Sequence, residues 1–183
     1  NTKEMKLVGV HNAENVMAAI AIAEAMRVPR EIYLNTIKNF DAIEHRIEYV
    51  ATIKDVVYYN DSKGTNTDAS KKALEAMENK TVLIAGGYDK GSEYDDWVEA
   101  FGDKIKCLVL LGATADKIEE TARRHGFTNI RRVKSLQEAV VTASENADAG
   151  ETVLLSPACA SWDMFKSYEE RGKLFKQYVK ELR

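Results

Sequence analysis

Three short stretches concentrate the side chains that can do chemistry. Asn60-Asp61-Ser62-Lys63-Gly64-Thr65-Asn66 carries a carboxylate, two hydroxyls and a lysine. Gly86-Gly87-Tyr88-Asp89-Lys90-Gly91 places a lysine just beyond a glycine pair. Ser156-Pro157-Ala158-Cys159-Ala160-Ser161 offers two hydroxyls and a thiol. Each follows an apolar run that reads as a strand, and each runs toward a helix. Hydroxyls, lysines and helix-opening N–H groups on one rim suit an anion, because the unpaired amides and the helix dipole point outward there. Plainer roles stand beside this one. Gly86-Gly87 and Gly91 can simply make a tight turn. Asp61 can cap the next helix, and Ser161 before Trp162-Asp163 is a good N-cap. Lys63 and Lys90 can be solvated surface residues. Cys159 has no histidine near it in sequence and reads as a small buried cysteine rather than a nucleophile. His11, His45 and His125 lack metal-ligand spacing, so no zinc site is expected. With neither GxxxxGK[ST] nor GxGxxG, the sequence has no recognisable nucleotide-phosphate cradle of its own.

Those loops need elements to hold them. After Gly9-Val10-His11, Asn12 reads as an N-cap, and Val16, Ala19, Ile20, Ala23 and Met26 recur at helical spacing. Pro29 stops that helix and can open a second over Arg30–Phe40. Ile47–Ile53 and Val56–Asn60 read as strands joined at Lys54-Asp55, a tight turn without the usual glycine. The chain then alternates. Helices are expected over Asn66–Met77, Glu93–Phe101, Ala115–His125 and Leu136–Asn146. Strands are expected over Thr81–Ala85, Cys107–Leu111, Ile130–Val133 and Thr152–Leu155. A final helix is expected from about Trp162 to Leu182, with Phe165, Tyr168, Phe175 and Val179 on one face. Strands alternating with helices imply βαβ units and right-handed crossovers. The expected fold is α/β: a doubly wound, mostly parallel Rossmann-like sheet with an antiparallel edge strand, preceded by a short helical remnant. Ligands of such sheets bind beyond the strands' carboxyl ends, where these loops lie. The domain boundary is expected near residues 41–45, giving 1–43 as a helical tail and 44–183 as an α/β domain.

Composition narrows the class. The chain has 183 residues, 45% of them hydrophobic, and a formal net charge of −3. That near-balance argues against a dedicated nucleic-acid binder. The longest wholly apolar run, Val16–Ala23, is far short of the ~20 residues that cross a bilayer. Two cysteines rule out a disulfide framework. No signal peptide is visible, so a cytoplasmic protein is expected. The start at Asn1-Thr2-Lys3, without an initiator Met, suggests a piece of something longer.

Five motifs occur in a meaningful order: Gly9-x-His11-Asn12-x-x-Asn15-x-x-Ala18-Ala19, His45-Arg46-x-Glu48, Asn60-Asp61-Ser62-Lys63-x-Thr65-Asn66, Gly86-Gly87-x-Asp89-Lys90-Gly91 and Ser156-Pro157-Ala158-Cys159-Ala160-Ser161-Trp162-Asp163. The set resembles the Mur ligase family over the whole chain. The last motif, with Tyr168-Glu169-x-Arg171-Gly172, is the one most specific to the family's D-glutamate-adding branch. The Asp-Asn-Pro-Arg motif expected of the diaminopimelate- or lysine-adding branch is not present. The resemblance implies an ATP-dependent ligase of peptidoglycan precursor synthesis that joins D-glutamate to UDP-N-acetylmuramoyl-L-alanine through an acyl phosphate, with ATP and Mg as cofactors. It implies that this sequence is the C-terminal domain with the helical tail of the central, ATP-binding domain. The family's phosphate loop and metal ligands are not in it, so the isolated chain is expected to be inactive and no catalytic or metal-binding residue is assigned. By the same resemblance, Asn12 and Asn15 lie near the adenine, Arg46 reaches the nucleotide, Asp61 holds the ribose hydroxyls, and Lys63 is close by. Thr65, Lys90 and Ser161 resemble the groups that bind the D-glutamate carboxylates, with Trp162 and Tyr168 as aromatic walls. Tyr168 stands where the family commonly has Phe. Two other readings stay open: the same domain of a sister Mur or folylpolyglutamate ligase, and a noncatalytic α/β binding module.

Overall fold

The computed structural model describes residues 4–182, except for the side chain of His11. Two helices come first, α1 (Val10–Ala25) and α2 (Arg30–Asn39). A hairpin follows, β1 (Glu48–Ile53) and β2 (Val56–Asn60), then α3 (Thr67–Glu75), β3 (Thr81–Ala85), α4 (Asp95–Glu99), β4 (Ile105–Leu110) and α5 (Ala115–Arg124). The chain ends with β5 (Ile130–Arg132), α6 (Leu136–Asn146), β6 (Thr152–Leu155) and α7 (Tyr168–Glu181). The six strands form one sheet in the order β1-β2-β6-β3-β4-β5. Only β1 and β2 pair antiparallel; the remaining pairs are parallel. The expected sheet with its antiparallel edge is therefore present. The order shows what the sequence did not, that β6 returns to the middle between β2 and β3.

Side-chain alternation builds a core on each face of the sheet. Leu83, Leu108, Leu110 and Leu154 point toward α3, α4 and α5, where Leu74, Trp97, Phe101 and Ile118 meet them. Their neighbours Ile84, Val109, Val153 and Leu155 point the other way, onto Leu136 and Val140 of α6 and Phe175 and Val179 of α7. Central strands buried on both faces have no polar side to show, which is why Thr81–Ala85 reads as an unbroken apolar run. The β1–β2 turn closes with Lys54 and Asp55 both at positive φ, 51° and 62°, the backbone of a type I′ turn made without glycine.

Three expectations need correction. Asn12 is not an N-cap. Gly9, at φ 94°, holds that position, and the Asn12 amide instead donates to the Val8 carbonyl at 2.8 Å. The last helix begins at Tyr168, not Trp162: Ser167 caps it by accepting the Glu170 N–H at 3.3 Å. Ser161 heads only a short turn, its carbonyl accepting from the Met164 and Phe165 amides. Phe165 thus reaches the α7 side of the core from the preceding loop, while Phe175 and Val179 do so from the helix. The apolar stripe on α1 is partly covered: Val16, Ile20 and Ala23 are half-buried, while Ala19 and Met26 are exposed, Met26 at 72%.

Candidate functional site

The sheet order brings the loops after β2, β6 and β3 side by side at the carboxyl ends of three adjacent strands. Hydrogen bonds knit them together. Asp61 N donates to Leu155 O at 2.7 Å, Gly86 N to Pro157 O at 2.9 Å, and Tyr88 N to Ala160 O at 2.9 Å. Glycine is required at Gly87, where φ is 147° and a Cβ would stand 2.3 Å from Ala160 O.

Arg171 of α7 locks this rim from below. It is 2% exposed and donates to Ser62 Oγ at 2.9 Å, Ser62 O at 2.8 Å and Cys159 O at 3.2 Å. Those acceptors are neutral, and burial draws the guanidinium down to about 10. One cation thereby fixes two rim loops. The sequence singled out Arg171 only as part of a motif. The signal for burial was its place on α7, three residues beyond Tyr168 and four before Phe175.

Asn12, Asn15, Arg46, Asp61 and Lys63 all line one cleft of about 360 Å³, between the start of the chain and the β2 loop. Phe40, Ile43 and Ile47 supply apolar wall, and Lys72 of α3 adds a cation that sequence reasoning missed. Lys72 lies on the same helical face as Ala69, six residues beyond the Asn66 cap. Asn66 accepts the Ala69 N–H at 2.8 Å, so Asp61 is not the cap of α3. Asp61 is 6% exposed; Oδ1 accepts from Ile47 N at 3.3 Å and Oδ2 from Ser156 Oγ at 2.7 Å. Burial pushes its carboxyl up to about 7, against the opposing pull of the Ser156 hydroxyl, the Ile47 amide, Arg46 and Arg171.

The remaining predicted residues differ in enclosure. Thr65 is half-buried, Lys90 is exposed on the glycine loop, and Ser161 is buried. Trp162 is 65% exposed and tilts against Tyr88, ring centres 5.5 Å apart. Tyr168 stands apart from Trp162. Its ring lies under the Lys63 ammonium at 3.9 Å and meets His45 edge-on at 6.0 Å. It therefore touches a residue expected at the nucleotide rather than Lys90 or Ser161. Cys159 is buried, between the Tyr94 and Thr114 hydroxyls at 3.1 and 3.2 Å, and burial raises its thiol. That environment suits packing and opposes nucleophilic chemistry. His45, expected to have no ligand role, is 2% exposed and accepts from the Asn60 amide at 2.9 Å, with the ring against Gly172.

A family model described as Mur ligase, glutamate ligase domain, matches residues 45–159. The chain belongs to the Mur ligase family. It is 57% identical, over its whole length, to the UDP-N-acetylmuramoylalanine–D-glutamate ligase of Lachnoclostridium phytofermentans, and 54% identical to that of Lachnospira eligens. It covers 40% of each of those proteins. Among solved structures, the UDP-N-acetylmuramate–alanine ligase of Thermotoga maritima superposes with a TM-score of 0.73 over 98% of this chain and 40% of that one, at 16% identity. A folylpolyglutamate synthase of Mycobacterium tuberculosis, complexed with ADP and AMPPCP, gives 0.68 over 95% of this chain and 41% of its own, at 14% identity. At such identities these two structures speak for the fold of this Mur ligase domain alone.

Proposed function

We propose that this Mur ligase domain serves an ATP-dependent ligase that joins D-glutamate to UDP-N-acetylmuramoyl-L-alanine in the cytoplasm, and that residues 44–183 receive the amino acid while 1–43 belong with the ATP-binding part of the longer protein. The observation that carries this reading is the convergence of Asn12, Asn15, Arg46, Asp61 and Lys63 on one cleft beside the rim of Thr65, Lys90 and Ser161. The names of relatives identical at 57% and 54% support the choice of D-glutamate.

In this scheme ATP transfers its γ-phosphoryl group to the precursor carboxylate and leaves as ADP. The D-glutamate amine, uncharged, attacks the acyl phosphate; the C–N bond forms, the C–O bond to phosphate breaks, and the amine proton departs. The chain's own residues bind and orient. The apolar wall of Phe40, Ile43 and Ile47 and the amides of Asn12 and Asn15 suit a base. Ionised Asp61 accepts from ribose hydroxyls, and Arg46 and Lys63 face the anionic side. Lys90, with Thr65 and Ser161, offers charge-assisted bonds to the two carboxylates of D-glutamate. Much of the acceleration then comes from holding two reactants together and offsetting phosphate charge. Magnesium would accompany the ATP. Among the described residues no three His, Cys, Asp or Glu side chains stand together to hold a metal ion.

The test is an amide-shift titration of this chain by NMR with D-glutamate and, separately, L-glutamate. Shifts confined to residues 86–91, 156–161 and Thr65, stronger for the D-isomer, are expected. Equal shifts for both isomers, or none at the rim, would overturn the reading.

A further inference from the structure

Four polar groups run in a line from the cleft into the core, and the proposed reaction uses only the first. Asp61 Oδ2 accepts from Ser156 Oγ at 2.7 Å, Ser156 Oγ lies 2.9 Å from Ser70 Oγ, and Ser70 Oγ accepts from Trp97 Nε1 at 2.9 Å. Ser70 Oγ also reaches Ser156 O at 3.0 Å. Ser70 and Ser156 are 0% exposed and Trp97 1%, so the line is sealed everywhere except at the cleft. A side chain at Gly64 would strike both ends of its first link, its Cβ 2.4 Å from Asp61 Oδ2 and 2.9 Å from Ser156 Oγ. The carboxylate and this hydroxyl are packed as one unit.

Proton counting gives the line two arrangements. Ser156 has one hydroxyl proton and two oxygen partners. With Asp61 ionised, that proton goes to the carboxylate, and Ser70 turns its own toward the Ser156 oxygens. With Asp61 protonated, the carboxyl donates to Ser156 Oγ, which passes its proton to Ser70 Oγ. Ser70 then accepts from both sides. The Trp97 N–H keeps Ser70 Oγ as its acceptor in both states, but the hydrogen bonds on the other side of that oxygen differ.

We propose that Ser156 is a positioning residue: its hydroxyl holds Asp61 as an acceptor facing the cleft, and Ser70 ties the state of that carboxylate to Trp97. The proposal rests on reading the cleft as a site for a nucleoside di- or triphosphate, whose ribose hydroxyls need an ionised acceptor. The setting makes the hydroxyl decisive. Burial pushes Asp61 up to about 7, and the Ser156 hydroxyl is the strongest influence opposing that push. The charged groups around Asp61 come from every neighbouring element: Arg46 ahead of β1, Lys63 on its own loop, Lys72 on α3 and Arg171 on α7. His45 and Glu48 face Asn60, its neighbour in sequence. Ser156 also opens the loop that ends in Ser161, so the cleft and the amino-acid rim share one structural residue.

Changing Trp162 to Phe leaves Trp97 as the only indole of the chain. Its emission is then followed against pH, and ADP affinity is measured by calorimetry over the same range. Trp97 is expected to report one transition near pH 7, lost in Asp61→Asn. In Ser156→Ala the midpoint rises by about one to two units, the equivalent of one charge-assisted bond. Ser156→Cys, with a weaker donor, falls between, and decides alone if the alanine variant does not fold. ADP affinity follows the same midpoints, whereas a merely structural lesion lowers it equally at all pH. A transition that persists in Asp61→Asn, or a midpoint unmoved in Ser156→Ala and Ser156→Cys, overturns the proposal. Fluorescence behaving as expected while ADP does not bind at all overturns the nucleotide reading and leaves the relay standing.

Discussion

Asp61 is held where its charge is costly, and that has a consequence for stability as well as binding. An aspartate whose folded-state pKa is raised from 3.8 to about 7 favours folding fully at acid pH, and loses that contribution as pH rises through 7. His45 works in the opposite sense: burial lowers it from 6.5, so its contribution is present above that value and fades as pH falls. The two effects overlap between about pH 4 and 7, so the aspartate part is read against Asp61→Asn. Relative to that variant, we expect the native chain to lose roughly 1–3 kcal/mol of stability between about pH 5 and 7. Thermal melts of both proteins at pH 5 and 7 check it; a stability difference between them that does not change with pH contradicts it. Lys90 makes a different prediction. It is exposed on a loop whose backbone is fixed by glycines at φ 107°, 147° and 77°, so its removal disturbs little packing. If it meets a substrate carboxylate, Lys90→Ala in the longer enzyme raises the D-glutamate requirement about ten- to a hundredfold, through the loss of one charge-assisted bond. ATP dependence stays nearly constant, and steady-state kinetics separate the two. An unchanged D-glutamate requirement makes Lys90 a solvated surface residue.

At the scale of elements, the two serines near the end of the chain separate sequence signal from structural use. Both Ser161 and Ser167 are N-cap residue types, and only Ser167 caps: its Oγ accepts from Glu170 N, while Glu170 reaches back to Lys166 N at 2.6 Å. Ser167→Ala is therefore expected to cost about 1 kcal/mol, and Ser161→Ala to leave the melt of the unliganded chain nearly unchanged. Chemical denaturation of both variants decides; an equal loss would place a capping role back on Ser161. The same pair shows how far periodicity could be read. Thr81–Ala85, Leu136–Asn146 and Thr152–Leu155 match the expected bounds, because burial on both faces and a serine cap leave unambiguous patterns. The start of α7 was misread because Trp162 and Phe165 extend its apolar spacing into a loop. Asn12 misleads for a related reason: an asparagine ahead of an apolar stripe looks like a cap, and the glycine at positive φ directly before Val10 holds that place instead. The return of β6 to the sheet centre has no local signature at all. It follows from which faces pair, and it is what brings Ser156 to Asp61, ninety-five residues apart in sequence.

At the scale of the whole molecule, the two halves of the chain are unequally satisfied. Trp97, Phe101, Leu108 and Phe175 show that the sheet has a filled core on each face. The helical pair does not: Val10 is 78% exposed, Met26 72%, Ile22 61% and Ile32 58%. Exposed apolar residues in that number are what a covering surface would bury. The chain spans about 40% of the length of its curated relatives, so the cover we propose is the rest of a longer polypeptide. Residues 1–43 would then contribute to the cleft without being needed to fold the sheet. The joint supports that division: Ile43 O accepts Arg46 N and His45 O accepts Lys63 N, so the turn at 43–46 is anchored to the sheet domain itself. His45 and Ile47 take positive φ there, 68° and 45°, which strains a non-glycine backbone and is held only because Asn60 and Asp61 grip both residues. Accordingly, a chain trimmed to residues 44–183 should unfold in one cooperative transition, with a midpoint no lower than that of the 183-residue chain. The exposed apolar residues of α1 and α2 leave with the deletion, so any self-association of the 183-residue chain should leave with them. Its nucleotide affinity should drop below that of the longer chain, itself expected near millimolar, or about −4 kcal/mol, because Asn12 and Asn15 are gone while Arg46, Asp61 and Lys63 remain. Calorimetric melts, sedimentation and ADP titration measure the three effects independently. A trimmed chain that melts without cooperativity would show that α1 and α2 are structural members of the sheet domain, and the boundary proposed at residue 44 would fall.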